Sequence, residues 1–247
     1  MGKVGEGPRE FITGEVIGAC IDNRLFAIDV NGKTKGFLSI DSLAQGKDAF
    51  VELAEEEKAS RPRLPEYAKE VYIGRTEDGD EHYFKAVLHG KKVEFGKYPI
   101  PEVKEHVSNR MAYNQSRGVL ASSSSQFPYL ALYKNDGKTF SLAWENKSDG
   151  SEYEIYDDKI IFDRKVGGIF GLCMSKDYII ALQRDRTKDA MDESTVGRDV
   201  SKCPHHVFLY DYDGNLVKIV DLGIPVMRIA AEEKGMTECL CRVAMMK

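Results

Sequence analysis

The most metal-like string in the sequence is Cys203-Pro204-His205-His206. Zinc binds cysteine and histidine readily, but a zinc site needs several ligands that converge on one point. His205 and His206 are adjacent, so in an extended chain their side chains would point to opposite sides. No second pair of ligands at metal-site spacing is present in the sequence. We therefore predict a polar loop that leads into a strand, with no metal site and no cofactor.

Two further segments carry oxygen atoms that could do chemistry. Asp211-Tyr212-Asp213-Gly214-Asn215 has the composition of a calcium loop, but glycine follows the second aspartate directly and no glutamate closes a loop of about twelve residues. Ser122-Ser123-Ser124-Ser125 offers hydroxyl groups without the G-x-S-x-G surroundings of a nucleophilic serine. We predict that the first segment shapes a hairpin turn and that the second is a strand end or a loop.

That hairpin turn belongs to a pattern that occurs four times. Each copy has a strand of alternating large apolar residues, a glycine preceded by Asn, Asp or His, and a second strand. The copies cover residues 25–40, 83–98, 129–144 and 207–222, with turn glycines Gly32, Gly90, Gly137 and Gly214. The shortest spacing, from Gly90 to Gly137, is close to the roughly 40–50 residues of one propeller blade.

The unit that repeats is larger than a hairpin. It is clearest from Gly168 onwards, where Ile169–Met174 reads as a strand buried on both faces, Tyr178–Gln183 as a second strand, and 207–222 as the third and fourth strands. Each hairpin would then be the outer half of a blade. We predict an all-β fold, a β-propeller of four-stranded antiparallel blades, formed by residues 1–247 as a single domain. A β-sandwich is the alternative.

One stretch of the chain departs from the strand pattern. Residues 47–59 are rich in helix-forming residues, and Asp48 could cap their start, so we predict a short helix on a surface connection.

Composition excludes several classes of protein. The 247 residues carry a formal net charge of −5, which argues against a nucleic-acid partner. No run reaches the about 18 apolar residues of a transmembrane segment, and the first residues lack the apolar region of a signal peptide. The five cysteines are an odd number, so we expect free thiols that lie mostly in buried strands.

Several short motifs resemble those of a known family. The opening GEGPREF (5–11) resembles the G-x-G-P-x-E-F segment of bacterial six-bladed propellers of the TolB-like and NHL-like kind. FGKYP (95–99), followed by NRMAY (109–113), resembles a second landmark of the TolB-like group, and 168–231 resembles its penultimate blade. The resemblance covers most of the chain and is weakest over 41–70. It implies a six-bladed propeller from a family that largely lacks an assigned activity.

The family pattern also bears on completeness and compartment. The G-x-G-P-x-E-F segment normally ends a blade that begins upstream, whereas here it opens the chain. Two interpretations stay open: a propeller that lacks its first blade and export signal, or an N-terminal strand that pairs with C-terminal strands to close a smaller ring. The first implies the periplasm or an outer-membrane lipoprotein, since family members are commonly exported. Otherwise the protein is expected in the cytoplasm, and a complete propeller is expected to be a monomer.

The candidate ligand-binding residues follow from the predicted fold. In a propeller, the connections into the inner strands surround one end of the central channel, where ligands commonly bind. Asn109, Arg110 and Tyr113 lie at the start of a predicted inner strand, and Arg184 lies at the exit of a second strand. Arginine recognises carboxylates and phosphates with two parallel hydrogen bonds. The alternative is that these arginines are ordinary residues of the surface or of a blade edge.

These observations favour a non-enzymatic propeller that binds a protein, peptide or glycan ligand at the bacterial cell envelope. The alternative is a hydrolase or lyase with its active site at the central channel, because propellers host both kinds of function. An enzyme should gather several His, Asp or Glu residues at the channel. His89, by contrast, is predicted in a hairpin turn, away from the expected channel.

Overall fold

The computed structural model describes residues 14–21, 24–29, 35–48, 50–53, 66–68, 71–147, 153–163, 167–184, 203–231 and 239–242. The chain divides into two compact units, the first formed by Met1–Arg75 and Phe84–Val93 and the second by Thr76–Tyr83 and Glu94–Lys247. The single domain over 1–247 therefore stays a prediction, and each unit is described by itself.

The first unit contains two antiparallel sheets. Their strands are β1 (Gly14–Ile21), β2 (Arg24–Asp29), β3 (Lys35–Ser39), β4 (Phe50–Glu52), β5 (Glu66–Ala68), β6 (Val71–Arg75), β7 (Phe84–Leu88) and β8 (Lys91–Phe95), and the end of β8 is counted with the second unit. The strand orders are β1-β2-β3-β4 and β5-β6-β7-β8, and the first strands of the two sheets, β1 and β5, contact each other.

The second unit repeats the same arrangement. Its strands are β9 (Asn109–Asn114), β10 (Val119–Ser124), β11 (Tyr129–Asn135), β12 (Phe140–Lys147), β13 (Tyr153–Tyr156), β14 (Lys159–Phe162), β15 (Ile169–Met174), β16 (Ile179–Gln183), β17 (His206–Tyr210), β18 (Leu216–Asp221), β19 (Arg228–Ala231) and β20 (Cys239–Arg242). The sheets are β9 to β12, the hairpin β13-β14, β15 to β18, and the pair β19-β20. The first strands β9, β15 and β19 contact one another in succession.

Successive four-stranded antiparallel sheets that meet through their first strands are the blades of a β-propeller. The predicted all-β propeller fold is therefore confirmed, and the number of blades stays a prediction. The motif at 5–11 lies outside the described residues.

The hairpins occupy two different places in the blades. The copies at 83–98, 129–144 and 207–222 are the third and fourth strands, as predicted. The copy at 25–40 is β2 and β3, the middle pair of its sheet, because β4 follows it. The prediction that every copy is an outer half is wrong there, since a hairpin signal reports a tight turn and not the position of the strand pair in a sheet.

The predicted helix over 47–59 is wrong where the structure describes it. Phe50–Glu52 is strand β4, which pairs Phe50 with Leu38 and Val51 with Phe37. Residues 54–59 lie outside the described residues. Pairing with β3 overrides the helix propensity of the segment. A short helix, α1 (Ile40–Ala44), comes earlier, and the Ser39 hydroxyl caps it by accepting from Ser42 N at 3.2 Å.

Burial in the second unit is greatest in the second strand of each blade. Every residue of β10 is buried, as are Ile179–Leu182 of β16. The first strand β15 is less buried than predicted, since Phe170 is exposed. A second strand has a partner on each side in its own sheet, whereas the first strand has one. The last strands, β12 and β18, are largely exposed.

Two remaining expectations concern cysteines and membranes. Cys173 and Cys203 are partly buried and are not in disulfide bonds. Over the described part of the chain, no helix has the length and apolar character needed to cross a membrane.

Candidate functional site

The blade formed by β15 to β18 brings distant polar residues to one end. Antiparallel pairing sets the start of β15, the end of β16, the start of β17 and the end of β18 side by side. Ile169 pairs with Gln183, Gln183 with His206, and His206 with Asp221. Direct cross-strand partners project from the same face of a sheet. We call this end of the blade the rim.

His205, His206 and Asp221 form a compact group at the rim, named here the histidine–aspartate cluster. Nδ1 of His205 lies 2.8 Å from Asp221 Oδ1, and Nε2 of His206 lies 3.8 Å from Asp221 Oδ2. The centroids of the two imidazole rings are 4.1 Å apart. One candidate ligand atom from each of the three residues lies within 4.8 Å of the others.

The cluster is closed on one side and open on the other. The His206 side chain is 1% exposed, whereas those of His205 and Asp221 are 34% and 55% exposed. The hydrogen bond with His205 holds the pKa of the Asp221 carboxyl below its usual range, and the Gly223 N–H, which donates to Oδ1 at 2.8 Å, acts in the same direction. The group is therefore a preformed, solvent-facing arrangement of two imidazoles and a carboxylate.

The prediction that the His205 and His206 side chains point to opposite sides is wrong. Their rings lie together because His205 precedes β17, so the alternation of the strand does not include it. Asp221 was missed because it lies on the neighbouring strand. The signal that could have found it is the hairpin register, since two strands aligned about the turn at Gly214 bring His206 opposite Asp221.

The hairpin turn itself matches its prediction. Asp211 accepts hydrogen bonds from the backbone N–H groups of Asp213 and Asn215 at 3.0 and 2.8 Å and from Asn215 Nδ2 at 2.9 Å. Gly214 has a φ of +91°. These residues shape the turn, as the sequence indicates.

Two of the four predicted ligand-binding residues lie on β9 in well-defined surroundings. Arg110 is exposed, and its Nε donates to the Phe170 carbonyl on β15 at 3.0 Å, which links the two inner strands. Tyr113 is 6% exposed, its hydroxyl accepts from Asn135 Nδ2 at 3.2 Å, and its ring packs edge-on against Phe140. Tyr113 therefore lies in the core of its unit.

The other two predicted residues lie at the same end of their blades. Asn109 is half-buried at the start of β9, and its Nδ2 atom is buried without a hydrogen bond to any described residue. Arg184 follows the end of β16 and is half-buried. Strands β9 and β15 run in the same direction. The hydrogen bond from Arg110 to Phe170 O joins their starts, and the one from Asn114 to Ser175 O joins their ends. The start of β9 therefore lies at the rim.

An apolar surface that the sequence did not reveal runs along β18. Leu216, Val217 and Ile219 are 49%, 53% and 38% exposed. In the described part of the chain, β18 is the last strand of its sheet and has no partner strand on its outer side. We call this surface the β18 edge.

Comparisons with known proteins support no specific assignment. No family model and no curated protein matches the chain. Solved structures are similar at low identity: AztD from Citrobacter koseri (TM-score 0.38, 10% identity, 87% of this chain and 48% of that chain) and BamB from Moraxella catarrhalis (0.35, 11%, 86% and 62%). Regucalcin from Agrobacterium tumefaciens, a calcium-binding protein, matches with a TM-score of 0.39 and 12% identity, over 92% of this chain and 79% of that chain. The chain spans about half the length of the AztD structures it matches.

Proposed function

We propose that this β-propeller is a non-enzymatic binding protein that takes up an extended segment of a protein partner along the β18 edge. The observation that carries the proposal is the exposure of Leu216, Val217 and Ile219 on a strand with an unpaired outer side in the described chain. Monomeric proteins usually protect such a strand with charge, because its free backbone groups pair readily with another chain.

The last strands of the other four-stranded sheets have that protection. β8 carries Lys91, Lys92 and Glu94, and β12 carries Glu145 and Lys147. β4 has only three residues and ends in a glutamate. β18 reads LVKIVD, in which Lys218 is the one charged residue inside the strand and Asp221, at its end, is held by His205. Among the last strands of the four-stranded sheets, β18 is therefore the one best suited to a partner.

The chemistry of an edge strand selects a polypeptide over a glycan. An extended peptide offers alternating N–H and C=O groups that match the edge of a sheet, and its side chains contact both faces. Leu216 and Ile219 project from one face of β18, because they pair with Tyr210 and Phe208, and Lys218, which pairs with Leu209, projects from the other. A register shift leaves Val217 as the extra residue between Leu216 and Lys218. An apolar segment with an acidic residue would complement both faces, since it could pair with Lys218.

The enzymatic alternative has less support. A hydrolase or lyase at the central channel would gather ionisable side chains on the first strands of the blades. Among the described residues, the converging set of histidine and carboxylate side chains comes from β18, from the start of β17 and from His205 just before it, and not from a first strand. Asn109, Arg110 and Arg184 stay predicted ligand contacts at the rim, and the burial of Tyr113 weakens its case.

A place at the bacterial cell envelope is part of the proposal, and the resemblance of GEGPREF and FGKYP to exported propellers supports it. To test the location, cells that naturally produce the protein are fractionated, and an antibody detects the protein in each fraction. Recovery from the periplasm or outer membrane is expected, and recovery from the cytosol alone would overturn this part.

The binding proposal is tested with a random-peptide phage library panned on the purified protein, followed by calorimetry with the selected peptides. We expect Val217→Asp/Ile219→Asp to weaken peptide binding by at least about tenfold, or about 1.4 kcal/mol. Leu142→Asp is the matched control, because Leu142 is 41% exposed on β12, also a last strand. It should bind like the wild type.

Several outcomes would overturn the proposal. They are the absence of any selected peptide, an equal loss in the Leu142→Asp control, and binding on a glycan array that survives the β18 substitutions. A dimer of this chain that dissociates in Val217→Asp/Ile219→Asp would assign the β18 edge to a second copy instead. Circular dichroism of each variant shows that it is folded.

A further inference from the structure

The histidine–aspartate cluster has the donor set of a transition-metal site. Imidazole nitrogen and carboxylate oxygen together suit zinc and other divalent transition metals, whereas calcium and magnesium prefer oxygen ligands alone. We infer that His205, His206 and Asp221 bind one divalent ion of the zinc class at the rim. This inference does not depend on the proposed function.

The spacing of the ligand atoms is close to what zinc requires. Zinc bonds to histidine nitrogen and carboxylate oxygen at about 2.0–2.2 Å, so ligand atoms of a tetrahedral site lie about 3.3 Å apart. His205 Nδ1 lies 2.8 Å from Asp221 Oδ1 and His206 Nε2 lies 3.8 Å from Asp221 Oδ2, on either side of that value. One ligand atom from each of the three residues lies within 4.8 Å of the others. A small rotation of the Asp221 carboxylate, which is exposed, would bring both near it.

The backbone around the ligands is held in place. His206 and Asp221 are direct partners in the β17–β18 ladder, and Leu222 N donates to His205 O at 2.8 Å. The Gly223 N–H already orients the Asp221 carboxylate through Oδ1. Outer hydrogen bonds of this kind fix metal ligands in the geometry that binding needs. Little ordering would therefore accompany metal uptake.

Three protein ligands would leave one position of a tetrahedral ion open to solvent. That position lies on the side of His205 and Asp221, because His206 is buried behind them. Water or a ligand from a partner would complete the coordination. Cys203 is near in sequence but is not part of the cluster, so no thiolate ligand is expected.

The simpler interpretation is a hydrogen bond between His205 and Asp221 that holds no ion. Titration of the chelator-treated full-length protein with ZnCl₂ by calorimetry separates the two. We expect one zinc ion per chain, and Co²⁺ should give the visible bands of a tetrahedral ion without a thiolate charge-transfer band.

The substitutions replace the two more exposed ligands, His205 and Asp221, because replacing the buried His206 could unfold the blade. Since loss of an outer-shell partner alone typically costs about 10–100-fold in metal affinity, His205→Ala and Asp221→Asn should each weaken zinc binding by at least about tenfold. Cys203→Ser should bind zinc like the wild type, and so should a variant of an exposed histidine outside the cluster, His89→Asn.

The inference is overturned if the wild type binds no stoichiometric zinc. It is equally overturned if binding survives in His205→Ala and Asp221→Asn, or if Cys203→Ser abolishes it. A thiolate band with Co²⁺ would also contradict the ligand set.

Discussion

The indole ring of Trp144 lies directly against the backbone of Gly214. A Cβ atom on Gly214 would sit 3.0 Å from Trp144 Cδ2. Trp144 Nε1 donates to Tyr212 O at 2.9 Å, and Asn146 Nδ2 donates to Gly214 O at 3.1 Å. The turn between β17 and β18 is therefore held against β12 of the preceding blade, and this contact fixes the end of the strand from which the β18 edge begins.

We expect Gly214→Ala to lower the free energy of unfolding by about 2–4 kcal/mol, because the new methyl group adds a contact with the indole to the strain of a positive φ. Gly137→Ala is the matched control: Gly137 has a φ of +86°, and a Cβ atom there would meet no neighbour within 4 Å. It should lose only about 1–2 kcal/mol. Urea denaturation of both variants measures the difference, and equal losses would contradict the contact.

The sequence predicts part of this relationship. It identifies the turn glycines, and Gly90, Gly137 and Gly214 all have positive φ. It does not predict that Trp144 covers Gly214, because the two residues belong to different blades and nothing local in either segment records the packing of one blade on the next.

Gly168 marks a second close approach between blades. Its N–H donates to Ser125 O at 3.0 Å, and a Cβ atom would collide with the carbonyl oxygens of Ser124 and Phe127. Backbone cannot move aside as a side chain can, so Gly168→Ala should cost about 3 kcal/mol or more. At Gly167 the nearest atom to a Cβ is a Phe170 ring carbon at 3.3 Å, which can shift. Thermal unfolding should show a much smaller loss for Gly167→Ala, and the opposite order would contradict the geometry.

Asn114 joins two blades through a fully buried side chain. Its Nδ2 donates to the Tyr212 hydroxyl at 3.0 Å and to Ser175 O at 3.3 Å, and the Tyr212 hydroxyl donates to Ser175 O at 2.6 Å. Asn114→Ala removes both of these donated hydrogen bonds and also the Oδ1 acceptor of the Arg117 N–H, at 3.0 Å, and should cost about 1–3 kcal/mol.

A double-mutant cycle with Tyr212→Phe tests this network. Phenylalanine keeps the ring beneath the Arg117 guanidinium, which lies 4.2 Å from its centroid, and removes only the hydroxyl. Because the two side chains share partners, we expect a coupling energy of about 0.5–3 kcal/mol in urea denaturation. Strict additivity of the two substitutions would show that the network does not act as a unit.

Asp211 makes the stability of the β17–β18 turn depend on pH. The hydrogen bonds from Asn215, first from its side chain and then from its backbone, hold the pKa of the Asp211 carboxyl below its usual range. A depressed folded-state pKa means that the stabilisation is present above the unfolded pKa, about 4, and is lost as the pH falls through the folded value.

Carbon-detected NMR titration in Asn215→Ala measures the effect. The pKa of Asp211 should rise toward its ordinary value, because a principal donor is gone. Asp136, whose pKa is lowered chiefly by the Thr139 backbone N–H, is the internal control and should keep its pKa. An Asp211 pKa that does not move would rule out the side-chain hydrogen bond as its cause.

The candidate surfaces show where sequence reasoning ends. The two strands of the hairpin at 207–222 look equally apolar in sequence. In the structure, β17 begins with the buried run His206–Phe208, whereas β18 is exposed. Exposure depends on what covers a strand, which a single strand's pattern does not encode. The histidine–aspartate cluster was missed for a related reason, since one ligand lies outside the strand alternation and another comes from the neighbouring strand.

Amide hydrogen exchange with a selected peptide tests the central claim most directly. Residue-resolved exchange rates are measured with and without the peptide, and Leu142→Asp serves as the binding-competent control. The account predicts slower exchange in β18, Leu216–Asp221, because a peptide strand would pair with its outer amides. Unchanged exchange in β18, with protection at Asn109, Arg110 or Arg184 instead, would contradict it and locate binding at the rim.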